Sequence, residues 1–377
     1  MTKIFIKIKN SLIMIFFYLT FLLVGDLFFS NFIYKEDANI KYNCFEYKNY
    51  LFKDESYHDY YLQKNCIATE RQRTVVPYKV FTDKDGYRYS GKKRIYKENN
   101  LIFIGDSHTY SMGVKFKDSF PGIVEDNIND HTVYNLGVPG YGIQKHYYNL
   151  TKFLETKKVS KIFLILDITD IFDAAHRWTL IPNTKSPVLK SKHTNKSISD
   201  WKKMQNSNFK GSKILIFHLR NFVRFLKLQI KSTNMGIKDG ALKTEVANYT
   251  YVDLEKRSSI NYMNKEDFQR GIKNINLYFE KIDNLVKENN AQLYLMIFPW
   301  PETLIYGQAK FNWEKFNINL CKKNNSCFKV INLFKDFDKI KNKNKNWKNL
   351  IYIDDDVHFN KFGNNLVANK IIKELNN

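Results

Sequence analysis

Residues 101 to 109 read LIFIGDSHT, four apolar residues followed by a polar run that contains an aspartate, a serine and a histidine. The apolar part predicts a buried strand, and the polar part predicts a sharp turn into a helix. A serine at such a turn has an exposed hydroxyl, and its backbone N–H lies near a helix N-terminus. Ser107 is therefore a candidate nucleophile, although an ordinary helix cap would give the same pattern.

Four later apolar runs have the character of buried parallel strands, and they occupy residues 132–138, 161–168, 291–298 and 329–334. Residues 265–289 repeat apolar side chains at steps of three and four, which indicates a helix, and a last helix is expected from near Asn360. This alternation predicts an α/β fold with a doubly wound, flavodoxin-like parallel sheet, right-handed crossovers and helices on both faces. Ligands bind beyond the carboxyl ends of such strands, which is where Ser107 lies.

The expected folded domain covers residues 96–377, and residues 35–95 predict a stalk or approach segment in which turn residues would allow a hairpin. An insertion at about 178–262 interrupts the strand and helix pattern. Its basic, apolar run at 213–231 predicts either an amphipathic helix on a membrane or over the active site, or an ordinary helix packed on the sheet. His218 in this run is expected to be structural.

The N-terminal residues 10–34 are apolar, and Asp26 is their only charge. About 20 such residues suffice to cross a bilayer, and three lysines precede them, so we expect a transmembrane signal anchor after a cytoplasmic tail of residues 1–9. The catalytic domain would then lie on the periplasmic, extracytoplasmic side of the inner membrane, held by a single pass. A cleaved signal peptide and a buried core helix are the alternatives.

The chain has 377 residues and a formal charge of +22, with 44% hydrophobic and 16% aromatic residues. So much apolar surface indicates a folded domain. The lysines are spread along the chain without a nucleic-acid-binding signature, so we expect no nucleic-acid partner. Attraction to an anionic lipid surface or glycan fits this charge better.

The four cysteines fall into two close pairs, Cys44 with Cys66 and Cys321 with Cys327. Of the three possible connectivities, this pairing alone closes two local loops, and disulfides agree with an exported domain. Four free thiols in a reducing compartment are the alternative. No CxxC pattern suggests a metal site.

Near the C-terminus, residues 351–363 read IYIDDDVHFNKFG and place His358 shortly after three aspartates. A serine nucleophile needs a base, commonly histidine, whose ring a carboxylate orients. Either Asp355 or Asp356 could be that carboxylate. An acidic loop and a calcium-binding turn are the alternatives, but calcium has no need of the histidine.

Together with IGDSHTYSMGV at 104–114 and VYNLGVPGYG at 133–142, this motif resembles those of the SGNH or GDSL-type hydrolases, specifically their membrane-anchored bacterial branch. The resemblance covers most of residues 75–377. It implies a three-layer α/β/α fold with Ser107 as nucleophile and His358 as base, and Asp356 or Asp355 behind the base. The oxyanion hole would include the backbone N–H groups of Ser107 and Gly140, with no metal or organic cofactor.

The chain departs from the family in LDITDIFD at 166–173, where Thr169 stands in place of the usual asparagine. A threonine hydroxyl donates one hydrogen bond on a shorter arm than the asparagine amide. Loss of one oxyanion donor typically costs about 2.7–4 kcal/mol of transition-state stabilisation. Thr169 is thus the candidate third donor, and Asp170 and Asp173 are expected to be structural.

The resemblance implies a membrane-anchored serine esterase that removes acyl groups, acetyl above all, from a carbohydrate- or lipid-linked ester. Two alternatives stay open: an O-acetyltransferase that acts on a surface polysaccharide, and a catalytically silent glycan-binding domain of the same fold. Trp300, in FPWPE at 298–302, would be either a platform for a sugar ring or a packed loop anchor.

Overall fold

The computed structural model describes residues 43–52, 55–70, 75–182, 184–190, 265–308, 311–354 and 356–376, together with helical residues 13, 14, 17, 18 and 20–28. Contacts divide the chain into a first unit of residues 1–40 and 192–240 and a second unit of residues 41–191 and 241–377. The predicted helix at 213–231 lies outside the described residues, and the predicted anchor is described only in part. Among the helices that are described, none has the length and apolar character needed to cross a membrane.

An eight-stranded mixed sheet forms the centre of the second unit. Its strands, in spatial order, are β12 (Cys327–Asn332), β11 (Gln292–Ile297), β8 (Lys161–Ile165), β6 (Asn99–Ile104), β7 (His131–Asn135), β5 (Arg88–Tyr89), β4 (Tyr78–Thr82) and β3 (Ile67–Glu70). The strands from β12 to β7 are parallel, and those from β7 to β3 are antiparallel. Numbered in chain order, the five parallel strands are arranged 2-1-3-4-5, the order of a doubly wound sheet, but the sheet is mixed and not purely parallel as predicted, because β5, β4 and β3 join it antiparallel.

The register of the parallel strands brings three loops to one edge of the sheet. Phe103 of β6 lies beside Asn135 of β7 and Phe163 of β8. The chain order reverses at β6, so the loops that follow β6, β7 and β8 meet at the switch point where doubly wound sheets bind ligands. These loops carry Ser107, Gly140 and the segment that includes Thr169.

The helices are α1 (Ser107–Tyr110), α2 (Phe120–Asn127), α3 (Ile143–Leu154), α4 (Asp170–Phe172), α5 (Lys265–Glu288), α6 (Pro301–Tyr306), α7 (Trp313–Lys322), α8 (Phe334–Lys343), α9 (Trp347–Ile351) and α10 (Lys361–Leu375). α2 packs against α10, and α3 packs against α5. Right-handed crossovers place these two groups on opposite faces of the sheet. The predicted helices at 265–289 and from near Asn360 correspond to α5 and α10.

The stretch predicted as a stalk contains folded strands. β1 (Phe45–Phe52) and β2 (Glu55–Leu62) form a hairpin that joins β10 (Val188–Lys190) and β9 (Trp178–Thr179) in a second, antiparallel sheet. β3, β4 and β5 extend the main sheet instead. Apolar side chains from both regions share one buried cluster with α1 and the loop after β7, because alternate residues of these strands are aromatic or aliphatic. Over these strands the segment is therefore part of the folded body.

Both predicted disulfides are confirmed. Cys44, just before β1, is bonded to Cys66, just before β3. Cys321 of α7 is bonded to Cys327 at the start of β12. The first bond links the two antiparallel hairpins, and the second closes the short connection into the edge strand of the main sheet.

Candidate active site

The nucleophile candidate lies in the turn between β6 and α1. Asp106 caps α1, and its carboxylate accepts hydrogen bonds from the backbone N–H of His108 at 2.9 Å and from the Ser107 hydroxyl at 3.1 Å. Gly105 allows the turn to be tight, because a Cβ there would lie 2.1 Å from the Thr109 hydroxyl oxygen. Ser107 is thus the first residue of a helix at the carboxyl end of a buried strand, as predicted.

Buried polar side chains hold the end of α1. The hydroxyl of Tyr110 donates to Glu70 at 2.6 Å, and the guanidinium of Arg88 donates to the carbonyls of Ser111 at 2.8 Å and Val114 at 2.5 Å. Arg88 also donates to the Tyr110 carbonyl and lies over the Tyr110 ring, 4.5 Å from its centroid. A buried charge is tolerated only with such partners. The antiparallel strands therefore fix the position of the nucleophile turn.

The histidine and aspartate predicted near the C-terminus are in contact. The Nδ1 atom of His358 lies 2.7 Å from Asp356 Oδ1, and that oxygen also accepts the Val357 backbone N–H at 2.6 Å. The ring's Nε2 atom is buried and has no hydrogen-bond partner within the described part of the chain. A proton on Nδ1 satisfies the carboxylate and leaves Nε2 as a proton acceptor. Asp355, the other candidate, lies outside the described residues.

The rings of His108, in the helix after β6, and His358, near the C-terminus, lie in contact, with centroids 5.0 Å apart. His358 therefore lies beside His108, the residue that follows Ser107. Desolvation raises the pKa of Asp106, and the hydrogen bond from the His108 backbone N–H and a positive charge on the His358 ring lower it. Burial, and then the charge of His358, hold the pKa of His108 well below its usual value, so His108 is a neutral packing residue.

Thr169 differs from an oxyanion donor in where its hydroxyl points. Its Oγ1 donates to Asp167 Oδ1 at 2.5 Å, and the same oxygen accepts the Thr169 backbone N–H at 2.7 Å. A threonine has a single hydroxyl hydrogen. That hydrogen is engaged with Asp167 and is not directed at the nucleophile.

Gly140 has a backbone that only glycine adopts easily, with φ of +75°. A Cβ at this position would lie 2.7 Å from the Tyr60 hydroxyl and 3.1 Å from Nη2 of Arg177. The Gly140 carbonyl accepts a hydrogen bond from Trp178 Nε1 at 3.2 Å. The predicted oxyanion glycine is therefore enclosed by β2 and by the turn after α4.

Replacement of Gly140 by alanine is expected to reduce both activity and stability. The positive φ costs about 1–2 kcal/mol of unfolding free energy, and the new methyl displaces Tyr60 or Arg177 from the site. We expect kcat/KM to fall by on the order of tenfold or more. Gly307→Ala is the matched control, because Gly307 has φ of +72° and nothing lies within 4 Å of its Cβ position. Equal activity losses in both variants would contradict the steric explanation.

Arg177 is the last residue of the π-helical turn Asp173–Arg177 that follows α4, and the sequence did not indicate it as a candidate site residue. Its Nη1 atom donates to Asp173 Oδ1 at 3.2 Å, and its side chain is 37% exposed. Burial opposes the charge, but the Asp173 carboxylate outweighs it and raises the pKa of Arg177, and Asp106 adds to this effect. Asp173, predicted to be structural, thus holds a permanent positive charge near Gly140.

Three carboxyl groups line the buried side of the site. Desolvation raises the pKa of Asp106, and it raises the pKa values of Asp167 and Asp170 well above their usual range, with further contributions from one another. Asp170 Oδ2 accepts the Asp167 backbone N–H at 2.9 Å, which agrees with its predicted structural role. No group of three or more His, Cys, Asp or Glu residues suited to a metal ion occurs among the described residues.

His146 is buried beside Asp170, and burial lowers its pKa to about 3 from 6.5. Between these values the unfolded chain binds one more proton than the folded chain. This group's contribution to stability is complete above pH 6.5 and is lost as the pH falls towards 3. As the pH falls from 6.5 towards 3, we expect the unfolding free energy of the wild-type protein to decrease by ~1.4 kcal/mol per pH unit more than that of His146→Gln. Urea denaturation at several pH values measures this, and equal slopes would refute it.

Trp300, considered as a sugar platform, is a buried loop anchor that caps α6, with its ring centroid 6.1 Å from that of His108. Its ring is therefore packed in the interior beside His108 and is not on an exposed face.

Comparisons with known proteins yield structural likenesses only. Neither the known protein families nor the curated proteins include a match. A member of the lipolytic protein G-D-S-L family from Veillonella parvula is similar at 14% identity, over 73% of this chain and 96% of that one, with a TM-score of 0.37. The esterase EstA from Pseudoalteromonas sp. is similar at 14% identity, over 74% of this chain and 100% of that one, with a TM-score of 0.38.

The acetylxylan esterase Axe2 from Geobacillus stearothermophilus is similar at 12% identity, over 75% of this chain and 96% of that one, also with a TM-score of 0.38. At these identities and TM-scores, the likenesses assign no function to the chain.

Proposed function

We propose that the protein is a serine esterase of the SGNH type that removes acyl groups, acetyl above all, from a carbohydrate- or lipid-linked ester. The observation that carries the proposal is the 2.7 Å contact between His358 Nδ1 and Asp356 Oδ1, with Nε2 left unpaired among the described residues. The His358 ring lies beside that of His108, the residue that follows Ser107, with centroids 5.0 Å apart. A base oriented in this way is what a serine hydroxyl needs to become nucleophilic.

In the proposed first half-reaction, Ser107 Oγ forms a bond to the ester carbonyl carbon while its proton passes to His358 Nε2. The π electrons of the carbonyl move to its oxygen, where the backbone N–H groups of Ser107 and Gly140 stabilise the negative charge. Asp356 stabilises the imidazolium that forms. When the intermediate collapses, the C–O bond to the alcohol breaks, and His358 returns its proton to the leaving oxygen.

In the second half-reaction, a water molecule attacks the acyl-serine and His358 Nε2 takes its proton. Collapse of this intermediate releases the carboxylic acid and returns the proton to Ser107. A sugar hydroxyl in the place of water would give acyl transfer by the same steps.

The proposed location is the inner membrane, with the catalytic domain on its extracytoplasmic side. The apolar run 10–34 and the lysines before it support this location. The two disulfides support it as well, because such bonds persist in oxidising compartments.

The proposal is tested by incubating the full-length protein with a chromogenic acetyl ester and quenching the reaction in acid. We expect alcohol release and, by mass spectrometry, an acetyl group on the peptide that contains Ser107. Addition of an oligosaccharide distinguishes the two acceptors, because hydrolysis yields acetate and transfer yields an acetylated sugar. If neither turnover nor an acetyl adduct is observed, the domain is catalytically silent and the proposal is refuted.

A further inference from the structure

The oxyanion hole proposed above contains two backbone donors and lacks a third. The Thr169 hydroxyl donates to Asp167 Oδ1, which already accepts a backbone N–H. A proton on the Asp167 carboxyl would therefore lie on the other oxygen and would not release the hydroxyl. Thr169 thus has no donor hydrogen available for a developing negative charge.

The polar groups around Gly140 differ in whether their hydrogens are available. The Tyr60 hydroxyl donates to the Pro139 carbonyl at 2.8 Å, and Trp178 Nε1 donates to the Gly140 carbonyl at 3.2 Å. Each of these groups has one hydrogen, so neither can donate a second time. Arg177 differs, because it has five donor hydrogens and its hydrogen bond to Asp173 uses Nη1.

The hydrogen bond that Arg177 donates to Asp173 is made by Nη1, and Nη2 lies 3.1 Å from the position of a Cβ on Gly140. Arg177 follows β8 in the chain and contacts Gly140 in the loop after β7, so the guanidinium lies at the same edge of the sheet as the nucleophile turn after β6. A fixed positive charge with a second planar donor at this place suits a developing oxyanion.

We propose that Arg177 is the third oxyanion donor of this site and replaces the amide that Thr169 does not supply. This inference rests on the proposed esterase function. When Ser107 Oγ bonds to the carbonyl carbon and the π electrons move to the carbonyl oxygen, that oxygen accepts hydrogen bonds from Gly140 N–H and Arg177 Nη2. No proton leaves the guanidinium, and the bonds revert when the carbonyl re-forms.

The test measures kcat and KM of the full-length protein with a neutral acetyl ester. Arg177→Met is expected to lower kcat by on the order of 10²–10³-fold with little change in KM, because the donor acts on the transition state. Guanidinium ion at millimolar concentration is expected to restore part of the lost kcat in Arg177→Met, which a structural defect would not allow. Arg270→Met is the matched control, since Arg270 donates to the Ala175 carbonyl in the same turn. The control is expected to retain kcat within about twofold, as surface substitutions usually do.

Unfolding temperatures accompany these measurements. If Arg177→Met is destabilised, kcat of Arg177→Lys is compared with that of the wild type instead, because the lysine keeps a positive charge beside Asp173. We expect Arg177→Lys to fold normally and to lose on the order of tenfold in kcat, since a lysine cannot reproduce the planar donor geometry.

Two results would overturn the inference while the esterase function stands. One is an Arg177→Met variant with unchanged kcat, alongside an active wild type and an inactive Ser107→Ala. The other is a loss confined to KM for anionic esters, which would make Arg177 a binding group for a charged substituent. A wild type that neither cleaves the ester nor acquires an acetyl group on Ser107 would instead refute the esterase proposal and this inference with it.

Discussion

Ser107→Ala is expected to abolish ester cleavage, with kcat lower by a factor on the order of 10⁴ or more. The variant removes the only atom able to form the acyl intermediate, and the backbone donors that remain can stabilise a transition state only for direct attack by water. The Ser107 hydroxyl makes one hydrogen bond, to Asp106 at 3.1 Å, so its loss should change the unfolding free energy by about 1 kcal/mol or less. Steady-state hydrolysis and thermal unfolding measure the two effects separately.

Ser160→Ala is the matched control for this variant. Its hydroxyl also makes one hydrogen bond, to the Asn100 carbonyl at 3.0 Å, but it lies before β8, at the end of the sheet opposite to the site. We expect wild-type kcat for it. Hydrolysis that persists in Ser107→Ala at the wild-type rate would exclude Ser107 as the nucleophile.

Asp356→Asn is expected to have the second largest effect, a fall in kcat of about 10²–10⁴-fold. The carboxylate accepts the His358 Nδ1 proton and stabilises the imidazolium, and a neutral amide cannot supply that charge. The amide can also donate to Nδ1, in which case the ring proton lies on Nε2 and the ring cannot accept the Ser107 proton. KM should change little, because Asp356 lies behind the base. The measurement is kcat of the variant at several pH values, which we expect to stay low at each of them.

The neighbouring aspartates provide the controls for this variant. Asp354 is exposed and only two residues away, so Asp354→Asn changes the local charge equally and should leave kcat unchanged. Asp355→Asn decides between the two carboxylates that the sequence left open, and we expect it to behave like Asp354→Asn. A large loss in Asp355→Asn with an active Asp356→Asn would reverse the assignment.

The main sheet could be predicted from the sequence because its parallel strands are buried on both faces and are therefore continuous apolar runs, such as Leu101–Ile104. The two disulfides were predictable because each closes a short loop. β1 to β5 gave no such signal, since strands with one exposed face mix Tyr, Lys and Asp, and their pairing with β7 and β10 is decided by tertiary contacts.

The candidate site was predictable to the extent that it lies in continuous motifs. Ser107, Gly140 and His358 each belong to a short stretch with a recognisable pattern, whereas the choice of Asp356 over Asp355 needed the contact with His358. Arg177 has no motif, because its position next to Gly140 depends on how the turn after α4 folds back over the loop after β7. The direction of the Thr169 hydroxyl depends likewise on Asp167, a residue that stands out only once the buried side of the site is known.

The disulfide between Cys44 and Cys66 has a consequence for the stability of the candidate site. Closing that loop restricts the unfolded chain and is worth about 3 kcal/mol. The bond stabilises the hairpins that contain Tyr60 and Glu70. Tyr60 contacts Pro139 in the loop after β7, and Glu70 contacts Tyr110 of α1. The bond therefore also stabilises the positions of the loop that contains Gly140 and of the helix that begins at Ser107.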